Sequence, residues 1–169
     1  MLKTNGIPDH IGYYLAGFAD GEGSFNVSFR RREDYQIPWK VSLCFNISQR
    51  DRVILSLYKR HLQCGRIRQR EDGVFYYEVN NLNSISENVI PFFNRFGFLS
   101  AKKKRDFSKF KQIAQIMRDG RHLSVEGIEE ILKIRVKMND GGKRRYSDTD
   151  ILEAIENPQR PYARLSKER

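Results

Sequence analysis

Two acids, Asp20 and Glu22, each precede a glycine at the end of an apolar, helix-like run, "LAGFADGEG", residues 15–23. The C-terminus of a helix carries roughly half a negative charge, so carboxylates there are disfavoured by up to about 1 kcal/mol where cations would be welcomed. Something must compensate. The remaining residue types with reactive potential are sparse. Cys44 and Cys64 fall in different predicted elements, which suggests neither a disulfide framework nor a CxxC site, and reduced thiols are expected. His10, His61 and His122 are scattered without metal-ligand spacing and read as surface or packing histidines.

The totals bound the class of partner. Lys and Arg number 31 against 21 Asp and Glu, a net charge of +10, so the surface field should draw polyanions such as nucleic acid or an anionic membrane. A merely soluble basic protein is the bland alternative. No apolar run approaches the roughly 18 residues of a membrane span, and the first ten residues, "MLKTNGIPDH", have no apolar signal core, so a soluble chain with no membrane partner is expected. A length of 169 residues suits one domain with a substantial core.

The elements that must position the two acids follow from periodicity. Pro8 and Asp9 carry helix-start chemistry, residues 11–19 continue the helix, and Gly21 is expected to supply a left-handed exit. From Ser24 the period becomes two. Phe25, Val27 and Phe29 alternate with Asn26, Ser28 and Arg30; after "REDYQIP", Val41, Leu43, Phe45 and Ile47 alternate with Lys40, Ser42, Cys44, Asn46 and Ser48. Asp51 can cap a second helix whose Ile54, Leu55, Tyr58 and Leu62 share a stripe and which Gly65 closes. A second hairpin turns at Asp72-Gly73, with Ile67, Phe75, Tyr77 and Val79 on its apolar side. "SISENVIPFFNRF" reads as a helix kinked or restarted at Pro91, and another helix with Phe107, Phe110, Ile113, Ala114 and Met117 follows the basic run 102–105. Ser124 caps a helix through Met138. "NDGGKRR" is a flexible basic loop, Ser147 opens a short helix through Ile155, Pro158 stops it, and the basic end is loosely held. This order predicts an α+β fold with helices on one face of an antiparallel sheet and the other face wet. The core is placed at about 9–138, with the basic loop and short helix in 139–169.

The wet face would then present Asn26, Ser28, Arg30, Arg32, Lys40, Ser42, Cys44 and Asn46, together with Arg66, Arg68, Arg70, Tyr76, Glu78 and Asn80. Arg and Lys suit guanine edges, Asn suits adenine and Glu accepts from cytosine, so the set matches base readout in a major groove. Any exposed strand face is polar. Three arginines at alternate positions tip the balance, because like charges side by side repel unless an anion neutralises them. A ten-residue strand spans roughly 33 Å, enough to follow about ten base pairs at roughly 3.4 Å each.

"LAGFADGEGSF" resembles the signature of the LAGLIDADG homing endonucleases, and "SLCFNISQR" and "FGFLSAKKKR" sit where single-motif members have related segments. The likeness runs in order and spacing over about 11–117. It implies an αββαββα fold with further C-terminal helices, and a homodimer in which two motif helices pack side by side on a two-fold axis. Gly12, Ala16 and Ala19, small residues at helical spacing, are the expected interface; close packing inside one chain is their alternative role. By the same resemblance Glu22, at the eighth motif position, binds the catalytic divalent metal, Mg²⁺, and Gly21 offers it a backbone carbonyl. That cation answers the repulsion at the helix end. Asp20 is assigned to structure. Gln49 and Lys102 match the polar and basic residues that arrange water and stabilise the phosphate.

The implied function is a site-specific double-strand DNA endonuclease, intron-encoded, that hydrolyses phosphodiester bonds at a long pseudo-palindromic target and so promotes intron mobility. The alternative is an intron RNA maturase or a non-cleaving DNA-binding regulator on the same scaffold, with intron RNA as partner. The implied setting is an organelle, chloroplast or mitochondrion, or a prokaryotic cytoplasm.

Overall fold

Pro8, with no N–H to lose, directs the chain into helix α1 (Asp9–Glu22). In the computed structural model, which describes residues 1–32, 37–139 and 144–157, α1 runs further than its sequence suggests. Gly21 lies inside the helix and Glu22 is its last residue; the exit is through Gly23 in an extended conformation, φ −75° and ψ 149°, so no left-handed residue is used. Gly23 answers a different need. A Cβ there would lie 2.7 Å from the Ala19 carbonyl oxygen.

The chain continues as β1 (Gly23–Arg31), β2 (Trp39–Gln49), α2 (Arg52–Leu62), β3 (Arg66–Gln69) and β4 (Phe75–Val79). These strands form one four-stranded antiparallel sheet in the order β1-β2-β4-β3. The Asp51 carboxylate accepts the Val53 N–H at 2.7 Å and caps α2 as expected. The helix exit belongs to Gln63, at φ 54°, rather than to Gly65, which instead passes so close to Tyr77 and Val79 that a side chain would clash. At the Asp72-Gly73 turn the Asp72 carboxylate accepts the Val74 N–H at 3.1 Å and Gly73 takes φ 79°. β3 stops at Gln69, so Arg70 belongs to the turn.

The next helical stretch is α3 (Leu82–Ser84), a π-helical turn (Ile85–Val89) and α4 (Ile90–Phe96). Pro91 has no N–H to give the carbonyl four residues back, at Glu87, and that carbonyl accepts the Leu2 N–H at 2.6 Å instead. The freed acceptor thus pins the N-terminal segment. Helix α5 (Ala101–Arg118) starts earlier than its apolar stripe implies and takes in the basic run 102–105. It is followed by α6 (Val125–Arg135), capped by Ser124 and ending before Met138, and by α7 (Asp148–Glu156), which opens with a Ser147/Asp150 capping box. Pro158, the basic C-terminal residues and the middle of both long loops lie outside the described residues.

All helices named in the core share one side of the sheet. Phe25 stands at the centre, with ring centroids of Phe45, Phe93, Phe107 and Phe110 between 4.9 and 5.7 Å away. Tyr58 hydrogen-bonds the Leu15 carbonyl and stacks on Tyr77, tying α1 to α2 and the sheet.

Candidate active site and nucleic-acid interface

The register places the motif at one end of the sheet. Gly23 pairs with Ile47, so Glu22 sits at the α1–β1 junction, and Gln49 extends β2 two residues past that point. Gln49 has the parity of Phe45 and Ile47, hence the helix side, and its side-chain oxygen accepts the Arg50 N–H at 2.7 Å. Glu22 is exposed, and among the described residues no hydrogen bond or ion pair engages its carboxylate.

Asp20 does something else. Its Oδ2 accepts the backbone N–H groups of Leu99 at 3.0 Å and Ser100 at 2.9 Å, and Oδ1 accepts the Ser100 hydroxyl. Ser100 is the N-cap of α5, so Asp20 welds the end of the motif helix to the start of α5, where a negative charge is favourable. Burial acts to raise its carboxyl, yet the Ser100 and Leu99 donors and the charge of Lys103 outweigh it, and the group is held below the usual carboxylate range. The structural role assigned to Asp20 is what the geometry displays.

The lysine at the motif is Lys103. Its ammonium donates to the Gly23 carbonyl and is half-buried, while Lys102 points outward on the exposed side of α5. Burial draws the Lys103 pKa down, against the opposing charges of Asp106, Asp20 and Glu22. A sequence signal for this existed. Lys103 heads the stripe 103, 107, 110, 114, 117 that faces the core, whereas Lys102 is off it by one position.

The small residues of α1 also face differently from expectation. Gly12, Ala16 and Ala19 are buried against their own chain, and a Cβ on Gly12 would lie 2.1 Å from the Phe96 ring. They cannot meet a second helix. The open side of α1 is the stripe His10, Tyr14, Gly17, Gly21, flanked by Tyr13; a Cβ on Gly17 or Gly21 would meet nothing within 4 Å.

On the far side of the sheet the expected readout residues assemble. Asn26 lies opposite Cys44, Ser28 opposite Ser42, Arg30 opposite Lys40, Asn46 and Arg66 on either side of Glu78, and Arg68 opposite Tyr76. Arg32 follows β1, and Asn80 follows β4. Ser24 and Ser48 belong to the same face by parity, although neither is in the readout set named from the sequence. The arginines are not left to repel one another. Arg66 Nε donates to Glu78 Oε1 at 2.6 Å, Arg68 donates to the same oxygen, and Arg70 pairs with Asp72 at 3.0 Å. The internal anion weakens the argument from bare repulsion, and Glu78 acts first as a clamp on two guanidiniums. Burial raises the Cys44 thiol, and burial with Cys44 and Glu78 nearby pushes Tyr76 up to about 12, so both stay neutral on this face.

The donor set tests the fit for a metal. Among the described residues no three His, Cys, Asp or Glu side chains gather into a metal-holding group. The groups of one chain that would hold a cation are the Glu22 carboxylate and the Gly21 carbonyl in the last turn of α1, where carbonyls lack intrahelical donors, and they make an incomplete shell. An all-oxygen, partial set suits Mg²⁺, which takes few protein ligands and fills the rest with water or phosphate oxygen.

A sequence profile described as LAGLIDADG endonuclease matches residues 15–114, more than half of the chain. The chain belongs to the LAGLIDADG endonuclease family. Among its relatives, "Probable intron-encoded endonuclease 2" of Neurospora crassa is 32% identical over 132 residues, 76% of this chain but 29% of that protein. The chain thus spans under a third of that relative's length. "Homing endonuclease I-ApeII" of Aeropyrum pernix is 28% identical over 149 residues, covering 84% of this chain and 88% of that one. Of solved structures, the archaeal intron-encoded homing endonuclease I-Vdi141I, complexed with DNA, superposes with a TM-score of 0.78 at 30% identity over 87% of this chain and 94% of that one. The LAGLIDADG fold expected from the motif is therefore the fold observed. No helix among the described residues is long and apolar enough to cross a membrane.

Proposed function

We propose that this chain is a site-specific double-strand DNA endonuclease, intron-encoded as its Neurospora relative is named, that works as a homodimer on a long pseudo-palindromic target and serves intron mobility. The observation that carries the reading is one of position: the exposed Glu22, Lys103 and Gln49 lie at the same end of a sheet whose far face carries side chains of the types that suit base edges. One continuous core, from Leu2 to Ala154, supports treating the chain as a single domain.

Two copies would meet along the open stripe of α1. Gly17 and Gly21 let backbones approach, Tyr13 and Tyr14 are more than half exposed and supply apolar area, and isologous pairing brings one Glu22 beside the other. Glu22 and Gly21 are the residues that would hold a divalent cation, which when bound supplies Lewis acidity and charge neutralisation at the scissile phosphate. Lys103 contributes a fixed positive charge beside the same spot, where increasing negative charge on the phosphate oxygens needs stabilising. Gln49 spends its side-chain oxygen on Arg50, which leaves its amide N–H groups to orient an attacking water. The readout face fixes the duplex so that attack is in line.

The test is selection from a randomised duplex library in Mg²⁺ or in chelator, with sedimentation in parallel. Enrichment of one pseudo-palindromic site cut on both strands only with Mg²⁺, by a species of twice the chain mass of 19.9 kDa, is the expected result. Sequence-independent binding, or a monomer that cuts without metal, would contradict it.

A further inference from the structure

β2 is a central strand for only half its length. Its residues 45–49 pair with β4, whereas residues 39–44 pair with β1 alone. The outer half of the β1–β2 hairpin is therefore a two-stranded ribbon, an arrangement that is marginal in water by itself. On its β4 side no strand lies among the described residues, and a cleft of about 470 Å³ is lined in part by Lys40, Ser42, Asn80 and His122. This ribbon carries Arg30 and Lys40, which stand opposite each other near the Arg31–Trp39 pair, about 23 Å from the motif end at roughly 3.3 Å per residue.

What stiffens the ribbon arrives from the far end of the chain. The Trp39 indole N–H donates to the Ile151 carbonyl in α7 at 3.0 Å, and the Tyr146 ring stands edge-on to the indole at 4.9 Å. Arg135, at the end of α6 and 4% exposed, lies over the Phe29 ring at 4.8 Å and donates to the Asp148 carboxylate at 2.8 Å and to the Tyr146 carbonyl at 3.2 Å. Arg144 closes the knot by donating to the Arg135 carbonyl at 2.8 Å. Trp39 and Phe29 are the core-facing neighbours of Lys40 and Arg30 on their strands. A buried guanidinium and a buried indole are thus engaged at the ribbon, remote from the aromatic centre at Phe25.

Side chains that read base edges must be held in register before DNA arrives, and a fraying ribbon cannot do so. We propose that residues 144–157 form a positioning brace for the outer half of the DNA-reading sheet. By locking Trp39 and Phe29 from the helix side, the brace fixes Arg30 and Lys40 against the outer base pairs of each half-site. It sets sequence discrimination there without touching DNA. The inference rests on the proposed reading of the sheet as the DNA interface.

Three variants test it: Trp39→Phe, which removes the indole N–H and keeps an aromatic ring, Asp148→Asn, and the charge-preserving Asp148→Glu. Each is assayed at saturating DNA on a panel of single-base-pair substitutions along the half-site. Discrimination at the outer base pairs should fall about tenfold in Trp39→Phe and Asp148→Asn, with inner positions and the rate on the parent site within about twofold, and Asp148→Glu should recover most of the loss. A uniform loss along the half-site, or no change at all, would overturn the brace. A wild-type chain with no positional preference would overturn the DNA reading itself, and the brace with it. Hydrogen exchange on the wild-type chain needs no variant: amides bonded between β1 and β2 in the outer ribbon should be as protected as those around Phe45, and exchange at frayed-hairpin rates would also overturn the proposal.

Discussion

At its inner end the sheet is four strands wide, and two helix ends, the C-terminus of α1 and the N-terminus of α5, are welded there through Asp20; at its outer end it is a two-stranded ribbon held by α7. The inner end keeps Glu22 open to solvent and Lys103 half-buried, its ammonium bent onto the Gly23 carbonyl. The outer end buries the Arg135 guanidinium on the helix side and leaves Arg30 and Lys40 exposed on the other. The contrast separates two tasks. On the proposed function, chemistry is built where the backbone is over-determined, and recognition is extended outward on a thinner element that needs separate support.

If that separation is real, the two ends can be damaged independently. The largest effect is expected from Lys103→Met, which should reduce cleavage by about 10²- to 10³-fold while DNA affinity changes little, whereas Lys102→Met should change cleavage less than about threefold. Single-turnover rates for the pair decide which lysine serves the site, and equal losses would blur the assignment. Next come the two faces of α1. Gly12→Ala forces a methyl into the Phe96 ring and should lower stability by about 1–3 kcal/mol in denaturant unfolding. Gly17→Leu has open space in the isolated chain, so it should leave monomer folding within about 1 kcal/mol yet abolish the dimer by sedimentation. A dimer that survives Gly17→Leu would move the interface elsewhere.

Smaller effects sharpen the readout side. Glu78→Gln frees Arg66 and Arg68 from their shared anion, so affinity for random DNA should rise a few-fold, with a salt slope steeper by about one, while preference at the base pairs beneath them relaxes. The smallest concerns Asp20, whose folded pKa is depressed. Its contribution is fully present above the unfolded carboxylate value and is lost as pH falls through the lower folded value, a window below about pH 4. Melting curves should show Asp20→Asn costing about 1 kcal/mol at neutral pH and flattening the acid limb of the stability profile.

Much of this architecture was legible because strand parity is rigid. The alternation of apolar and polar residues over 24–30 and 40–48 is enough to assign both faces, and the observed register keeps those residues on their expected side. Helix ends were less legible. An α-helix can absorb or lose a turn with little change in its apolar stripe, so Gly21 reads as an exit, the helix reads as starting after the basic run 102–105, and Lys102 is favoured where Lys103 takes the inward position. The small residues of α1 misled for a related reason: Gly12, Ala16 and Ala19 share a stripe, but so do Gly17 and Gly21, and composition does not tell which side meets Phe96. The role of residues 144–157 was invisible, since it depends on contacts such as Trp39 to Ile151 between residues far apart in the chain.

The central claim is that the open carboxylate at the end of α1 performs the cutting and takes little part in holding DNA. Its most direct measurement is Glu22→Gln, an isosteric change at an exposed position, assayed for both binding and cleavage of the selected site in Mg²⁺. The account predicts an unchanged dissociation constant, within about threefold, and a cleavage rate reduced at least about 10³-fold. Cleavage at the wild-type rate, or loss of binding in step with loss of cutting, would contradict it.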